Sequence, residues 1–239
     1  MLLLDVGNSR CKWARIENGV WTHQGVQDNA ELEALDAAFA ALPAPARIIV
    51  SNVGGAILEQ QIRKLCSQWA VIIEFIVSQG EQCGVSNCYK HPARLGSDRW
   101  AALIAAWQRK QKACLVVNCG TATTIDALSN SGEFLGGLIL PGIALMQQSL
   151  LRNTAQLQEE VGSVQDFPHN TADAIYSGVI RASVGAIEHQ GALLSKNGEV
   201  GCVLSGGAAS EIKMQLGIAH QGVDNLVLEG LQIIGEASA

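Results

Sequence analysis

One short pattern occurs twice in this 239-residue chain: an apolar run, a glycine turn, a second extended segment, then a hairpin at Asn-Gly or Ser-Gly. The first copy is Leu2-Leu3-Leu4 leading into Asp5-Val6-Gly7-Asn8-Ser9. The second is Cys114-Leu115-Val116-Val117 leading into Asn118-Cys119-Gly120-Thr121-Ala122. One offset of 113 residues places Leu2 on Leu115, Asp5 on Asn118, Gly7 on Gly120, Ala14 on Ala127 and Gly19 on Gly132. The identities are few, and their placement counts for more than their number. An internal duplication of this kind predicts two α/β lobes, each opening with antiparallel hairpin strands and continuing in a βαβ style, with a cleft between them. The restart sets the expected boundary, giving lobes of residues 1–112 and 113–239.

The remaining pattern fills in the lobes. Strands are expected at 1–9, 11–16, 20–24, 47–51 and 71–77, and helices at 31–42, 56–69 and 97–110. The helix from Ser97 would bury Trp100, Leu103, Ile104 and Trp107. A stretch of low periodicity from Ser78 to Gly96 is long enough to suggest function. In the second half, Pro141 suits the first turn of a helix running towards Arg152. Asn170 with Asp173 resembles a capping box for a helix reaching Leu194. A strand at Cys202–Ser205 turns through Gly206-Gly207 into another helix, and Leu226-Val227-Leu228 leads into a last one.

Composition narrows the partners. The chain carries a net charge of −6 with only 16% charged residues, and no basic patch stands out, which argues against nucleic acid. Seven cysteines without a C-x-x-C pair read as reduced thiols acting as small hydrophobes. The start MLLLDVGNSR lacks the apolar core of a signal peptide, and the run from Leu138 to Met146 is too short for a membrane span. A soluble, cytoplasmic protein is expected.

The first glycine turn brings together what a nucleotide phosphate needs. Gly7 lets backbone N–H groups approach closely, Asn8 and Ser9 donate hydrogen bonds, Asp5 can hold Mg2+ through water, and Lys12 supplies positive charge. Two such turns facing each other across a cleft resemble the ASKHA arrangement of actin, Hsp70 and sugar kinases, on a ribonuclease H-like fold. Gly206-Gly207 then looks like the adenosine loop. Asp98 falls in the first turn of a helix, where the macrodipole favours an anion, and it is a candidate general base for a substrate hydroxyl attacking the γ-phosphate. Arg99 beside it suits a substrate carboxylate.

In this order and spacing, these elements resemble the type III pantothenate kinases over nearly the whole chain. The D-x-G-N-[ST] motif with a following Lys is matched by Asp5, Gly7, Asn8, Ser9 and Lys12. The stretch Y-x-x-P-x-x-L-G-x-D-R is matched from Tyr89 through Pro92, Leu95, Gly96 and Asp98 to Arg99, and is the most specific signal. The D-x-G-T-A-x-T-x-D motif is matched from Gly120, Thr121 and Ala122 through Thr124 and Asp126. G-G-x-I-x-P-G follows as Gly136 to Gly142, and T-A-x-L as Thr154 to Leu157. The resemblance implies ATP-dependent phosphorylation of pantothenate to 4′-phosphopantothenate, the first step towards coenzyme A. It implies Asp98 as base, and Tyr89, Gly96 and Arg99 around pantothenate. Thr154 would reach that pocket from the neighbouring subunit of a homodimer. Asp5 would sit near magnesium, and Asn8, Ser9, Lys12, Gly120 and Thr121 would hold phosphates.

Two positions depart from the family pattern. Asn118 stands where an Asp commonly helps to hold an activating K+ or NH4+; an amide offers one oxygen and no charge. Ala208 stands where an acidic residue often follows the Gly-Gly pair. The competing readings are a regulatory, transcription-accessory protein that only binds ligands, and an ASKHA phosphotransferase with another acceptor. The Tyr89-to-Arg99 block speaks against a generic ATPase, and the presence of both Asp98 and Lys12 speaks against a degenerate binder.

Overall fold

The computed structural model describes residues 1–153, 161–195 and 200–238. Two compact units divide the chain: Met1–Arg109 together with Leu226–Ala239, and Lys110–Asn225.

Unit 1 opens with strands Leu2–Val6 (β1), Arg10–Glu17 (β2) and Val20–Asp28 (β3), joined antiparallel. A 3-10 segment, Asn29–Ala34, bends at Glu31 and passes into a short helix, Leu35–Ala40 (α1). The single helix expected over 31–42 is thus broken at its start. Strand Ile48–Asn52 (β4) then pairs parallel with β1, helix Ala56–Cys66 (α2) follows, and strand Ile73–Phe75 (β5) pairs parallel with β4. The sheet order is β3-β2-β1-β4-β5. Leu2, Leu3, Leu4 and Val6 are all fully buried because both faces of β1 are covered, which is why the sequence shows a continuous apolar run rather than alternation. Leu2, Leu4 and Val6 pack with Trp13, Phe39, Ile48, Val50, Ile62 and Leu65.

The stretch 78–96 is less irregular than its sequence suggests. Glu81–Gln82 (β6) and Val85–Asn87 (β7) form a small antiparallel hairpin, and Pro92–Arg94 makes a 3-10 turn. Helix Ser97–Lys110 (α3) follows and buries Trp100, Leu103 and Ile104 as the periodicity predicts, while Trp107, expected with them, is only half-buried. Trp100 Nε1 donates to Gln82 Oε1 at 2.7 Å, which ties the hairpin to the helix.

Unit 2 repeats the plan. Strands Cys114–Cys119 (β8), Ala122–Leu128 (β9) and Glu133–Pro141 (β10) run antiparallel. Helices Ile143–Asn153 (α4) and Thr171–Leu194 (α5) follow; then come strand Gly201–Ser205 (β11), helix Ala209–Lys213 (α6) and strand His220–Gly222 (β12). β11 pairs parallel with β8 and with β12, so within the unit the order is β12-β11-β8-β9-β10. That is the order and sense of unit 1, strand for strand. Asp173 N–H donates to Asn170 Oδ1 at 2.8 Å, completing the N-cap expected for α5. Pro141 corrects the sequence reading: it ends β10, opposite Ala122, and the helix begins two residues later.

The chain then returns to unit 1 through the last helix, Leu226–Ala237 (α7), which packs on β1 and β4. The expected division put residues 226–239 with the second lobe. Close packing fixes their place: Gly230 lies so close to the Ala101 backbone that no Cβ fits, and Gly235 packs against the Ile49 and Met1 side chains. All seven cysteines are free thiols, five of them buried, and enclosure pushes Cys11, Cys66, Cys119 and Cys202 up to about 12. Among the described residues, no helix is long and apolar enough to cross a membrane.

Candidate active site

The first glycine turn connects β1 to β2. Gly7 N–H donates to Arg10 O at 3.0 Å, closing a four-residue turn that leaves Asn8 and Ser9 exposed at its tip. Asp5 and Lys12 are direct cross-strand partners, so their side chains leave the same face of the sheet. Enclosure raises the Asp5 carboxyl to about 7; the nearby Asp98 charge adds to the rise, and Lys12 opposes it. The sequence separates Asp5 from Asp98 by most of the unit, and the fold makes them electrostatic neighbours.

Asp98 stands on the second residue of α3. Its Oδ1 accepts from Arg99 N–H at 2.8 Å. Enclosure raises its pKa from the ordinary carboxylate value, while that backbone donor and the Arg99 charge pull it down. Gly96 makes room for it: a Cβ at Gly96 would sit 2.5 Å from Asp98 Oδ1. Gly96 was expected to line a substrate pocket; the structure shows it as the position that leaves room for the Asp98 carboxylate. The Ser97 hydroxyl, at the start of the helix, meets the buried Ser51 hydroxyl at 2.9 Å. Arg99 is buried, donates from Nη1 to Tyr89 OH at 3.1 Å, and lies over the Tyr89 ring at 5.8 Å. Tyr89 is itself held by its N–H donating to Asn87 Oδ1 at 3.0 Å.

The second glycine turn, in unit 2, is one residue shorter. Gly120 N–H donates to Ala122 O at 3.0 Å. Asn118 pairs with Thr124 where Asp5 pairs with Lys12, so the offset of 113 holds on the first strand and falls to 112 on the second. The matching of Ala14 with Ala127 is therefore corrected: Ala14 faces Leu3, and its counterpart is Asp126, which faces Val116. The longer following hairpin restores the offset, and Gly19 and Gly132 share a left-handed φ of 77° and 81°. Where unit 1 has an Asp–Lys pair, unit 2 has neutral Asn and Thr.

Gly206 and Gly207 divide the work of the third loop. Gly206 adopts φ 100° and packs against the Cys119 backbone at the end of β8, where no Cβ fits; Gly207 faces open space. Ala208 N–H donates to Cys119 O at 3.1 Å. Thr154 lies outside the described residues.

Sequence reading missed one loop. Ser51-Asn52-Val53-Gly54-Gly55, at the end of β4, is the unit 1 counterpart of Ser205 to Ala208 at the end of β11. Val53 N–H donates to Val6 O at 3.0 Å as Ala208 does to Cys119 O, and a Cβ on Gly54 would come within 2.7 Å of Gly7 O. The Gly54-Gly55 pair, following a β-branched run, was the available signal.

One consequence can be measured on the protein alone. An acid whose folded value is raised binds more protons folded than unfolded, so it withdraws stability as pH rises from its ordinary value of 3.8 towards about 7. We expect the metal-free Tm to fall across that window, and to fall less in Asp5→Asn. Equal pH slopes for the two proteins would show that Asp5 is not enclosed as described.

Comparison with known proteins gives concordant results. The family model for type III pantothenate kinase matches residues 1–192. A type III pantothenate kinase of Nitrosospira multiformis is 44% identical over 243 residues, covering 100% of this chain and 92% of the relative. Among solved structures, a Campylobacter jejuni protein described as a Baf family transcriptional activator is 25% identical, with TM-score 0.62 and coverage of 100% and 99%. MreB5 of Spiroplasma citri bound to ADP, at 10% identity, has TM-score 0.55 with coverage of 99% and 96%, a likeness of fold alone.

Proposed function

Because this chain belongs to the type III pantothenate kinase family, on an ASKHA-like fold, we propose how its own residues carry out that family's reaction. The enzyme phosphorylates pantothenate with ATP, the entry to coenzyme A synthesis. Asp98 acts as the general base: it takes the proton of the pantothenate hydroxyl as that oxygen bonds to the γ-phosphorus and the bond to the bridging oxygen breaks, releasing ADP. The observation that carries this role is the carboxylate's setting: held by the Arg99 N–H, given room by Gly96, and with its pKa raised by enclosure. Arg99, held to Tyr89, is the cation that faces the pantothenate carboxylate.

Asn8, Ser9 and Lys12 in unit 1, and Gly120, Thr121 and Ala122 in unit 2, bind phosphate oxygens, while open Gly207 beside Gly206 receives the nucleoside. Asp5 would hold Mg2+ through water, since an enclosed carboxylate raised to about 7 gains from a cation beside it. Bound there, Mg2+ neutralises phosphate charge. Asn118 and its partner Thr124 supply only neutral oxygens, so K+ or NH4+ has a weak site at best, and metal handling rests on the first turn. Exposed Leu138 and Ile139 on β10, with Leu145 and Leu150 on α4, support a homodimer, the arrangement in which Thr154 would serve a neighbouring pocket. We place the enzyme in the cytoplasm, acting on small molecules without nucleic acid or membrane.

The test is ADP release with and without pantothenate, Mg2+ and K+. We expect dependence on pantothenate and Mg2+, with less than about a twofold response to K+ over Na+. Turnover without acceptor would make the protein an ATPase, and ligand binding without turnover under any cation would make it a binding protein.

A further inference from the structure

We propose that Asn29 is a positioning residue for the first phosphate turn, fixing the peptide plane that aims the Asn8 N–H at a nucleotide phosphate. The proposal rests on the kinase reading and deepens its account of how phosphate is held. Asn29 follows directly on β3. Its backbone N–H donates to Ser9 O at 2.9 Å, and its side-chain Nδ2 donates to Gly7 O at 2.9 Å. The carbonyl of Gly7 and the N–H of Asn8 belong to one trans peptide and point to opposite edges of it. Holding Gly7 O on Asn29 therefore turns the Asn8 N–H away from Asn29. Gly54 closes the approach to the same carbonyl, since even a Cβ there would come within 2.7 Å. Gly7 O is thus held by a donor and by close packing, and the donors of the turn are set before any ligand arrives.

The duplication supplies an internal comparison. Asp28 pairs with Arg10, and Asn29 follows it; Pro141 pairs with Ala122, and Gly142 follows it. Gly142 N–H donates to Thr121 O at 2.9 Å, the counterpart of the bond from Asn29 N–H to Ser9 O. Here the likeness ends. At Gly142 the backbone lies against Gly120 O and Thr121 O so closely that no side chain fits; a Cβ would be 2.6 Å from Thr121 O. The shorter second turn is braced by backbone contact, whereas the longer first turn leaves a gap that an amide spans. Asn29 Oδ1 is buried and has no hydrogen-bond partner among the described residues. Burying half of an amide unsatisfied costs free energy, and the bond to Gly7 O is what offsets it.

Asn29→Ala and Asn29→Asp test this with steady-state kinetics in both substrates and a thermal melt. The alanine removes the donor, and the aspartate keeps the shape but sets an acceptor against Gly7 O. We expect KM for ATP to rise about tenfold in the alanine variant and at least as much in the aspartate, the scale of one well-placed hydrogen bond. KM for pantothenate should stay within about twofold, because the acceptor residues lie on another loop and helix. If Asn29→Ala does not fold, Asn29→Ser, too short to reach Gly7 O, carries the same expectation. An ATP KM within twofold of wild type would overturn the proposal, and so would equal rises in both KM values alongside a lowered Tm. Failure of the wild-type protein to phosphorylate pantothenate would instead overturn the kinase reading, a result separate from the variants' behaviour.

Discussion

Asp98→Asn lowers kcat by on the order of a thousandfold while ATP binding stays within about twofold, the expected result of deleting a general base without changing its shape. The amide can still accept from Arg99 N–H through its oxygen, so the start of α3 keeps its geometry. It cannot take a proton from the pantothenate hydroxyl. Removing one of two neighbouring carboxylates also lowers the Asp5 value, because the Asp98 charge is part of what raises it. The pH dependence of binding at Asp5 should therefore move to lower pH in this variant. Single-turnover phosphorylation of pantothenate, with ATP binding measured separately by calorimetry, checks both parts. Near-wild-type turnover would remove Asp98 from the mechanism and leave the buried Asp126 as the next carboxylate to test.

Gly206→Ala produces the second large effect, and it acts through the backbone. The position has φ 100°, a conformation an L side chain rarely adopts, and the new Cβ would press on the N, C and O atoms of Cys119. Strain and overpacking together cost roughly 3 kcal/mol, or about 6–12 °C in Tm for a chain of this size. Cys119 is the last residue of β8 before the second glycine turn, so relief of the clash displaces that turn as well. We expect KM for ATP to rise more than about tenfold, with a smaller change for pantothenate. Gly207→Ala is the control, because a Cβ there meets open space. It should leave Tm unchanged, so a change in its ATP KM reports nucleotide contact rather than folding. A Gly206→Ala protein with wild-type Tm and wild-type ATP kinetics would show that the loop does not depend on the close approach at Cys119.

The duplication was legible from two glycine turns and an apolar run before each. Its register was not, because a gapless offset cannot represent a turn that loses one residue and a hairpin that gains one. Ala14 and Ala127 coincide by chance; Asp126 is the true counterpart, and only the strand pairing reveals it. Helix and strand ends fared worst where sequence and packing compete. The apolar stretch 71–77 is strand only at Ile73–Phe75, where β4 supplies a partner, and Pro141 serves a strand end as readily as a helix start.

The block from Tyr89 to Arg99 carried the family resemblance through residue types and spacing. The sequence determined the fold class, the two glycine turns, and a carboxylate beside an arginine at the start of a helix, because these depend on local pattern and on side-chain chemistry. Tertiary structure decided the rest: that Asp5 and Asp98 are electrostatic neighbours, that α7 belongs with the first unit, that Gly54 and Gly96 are sites of close approach, and that Asn29 braces Gly7. Each of these is a contact between residues far apart in the chain, set by sheet pairing and close packing, and neither periodicity nor a motif of fixed spacing encodes such distances.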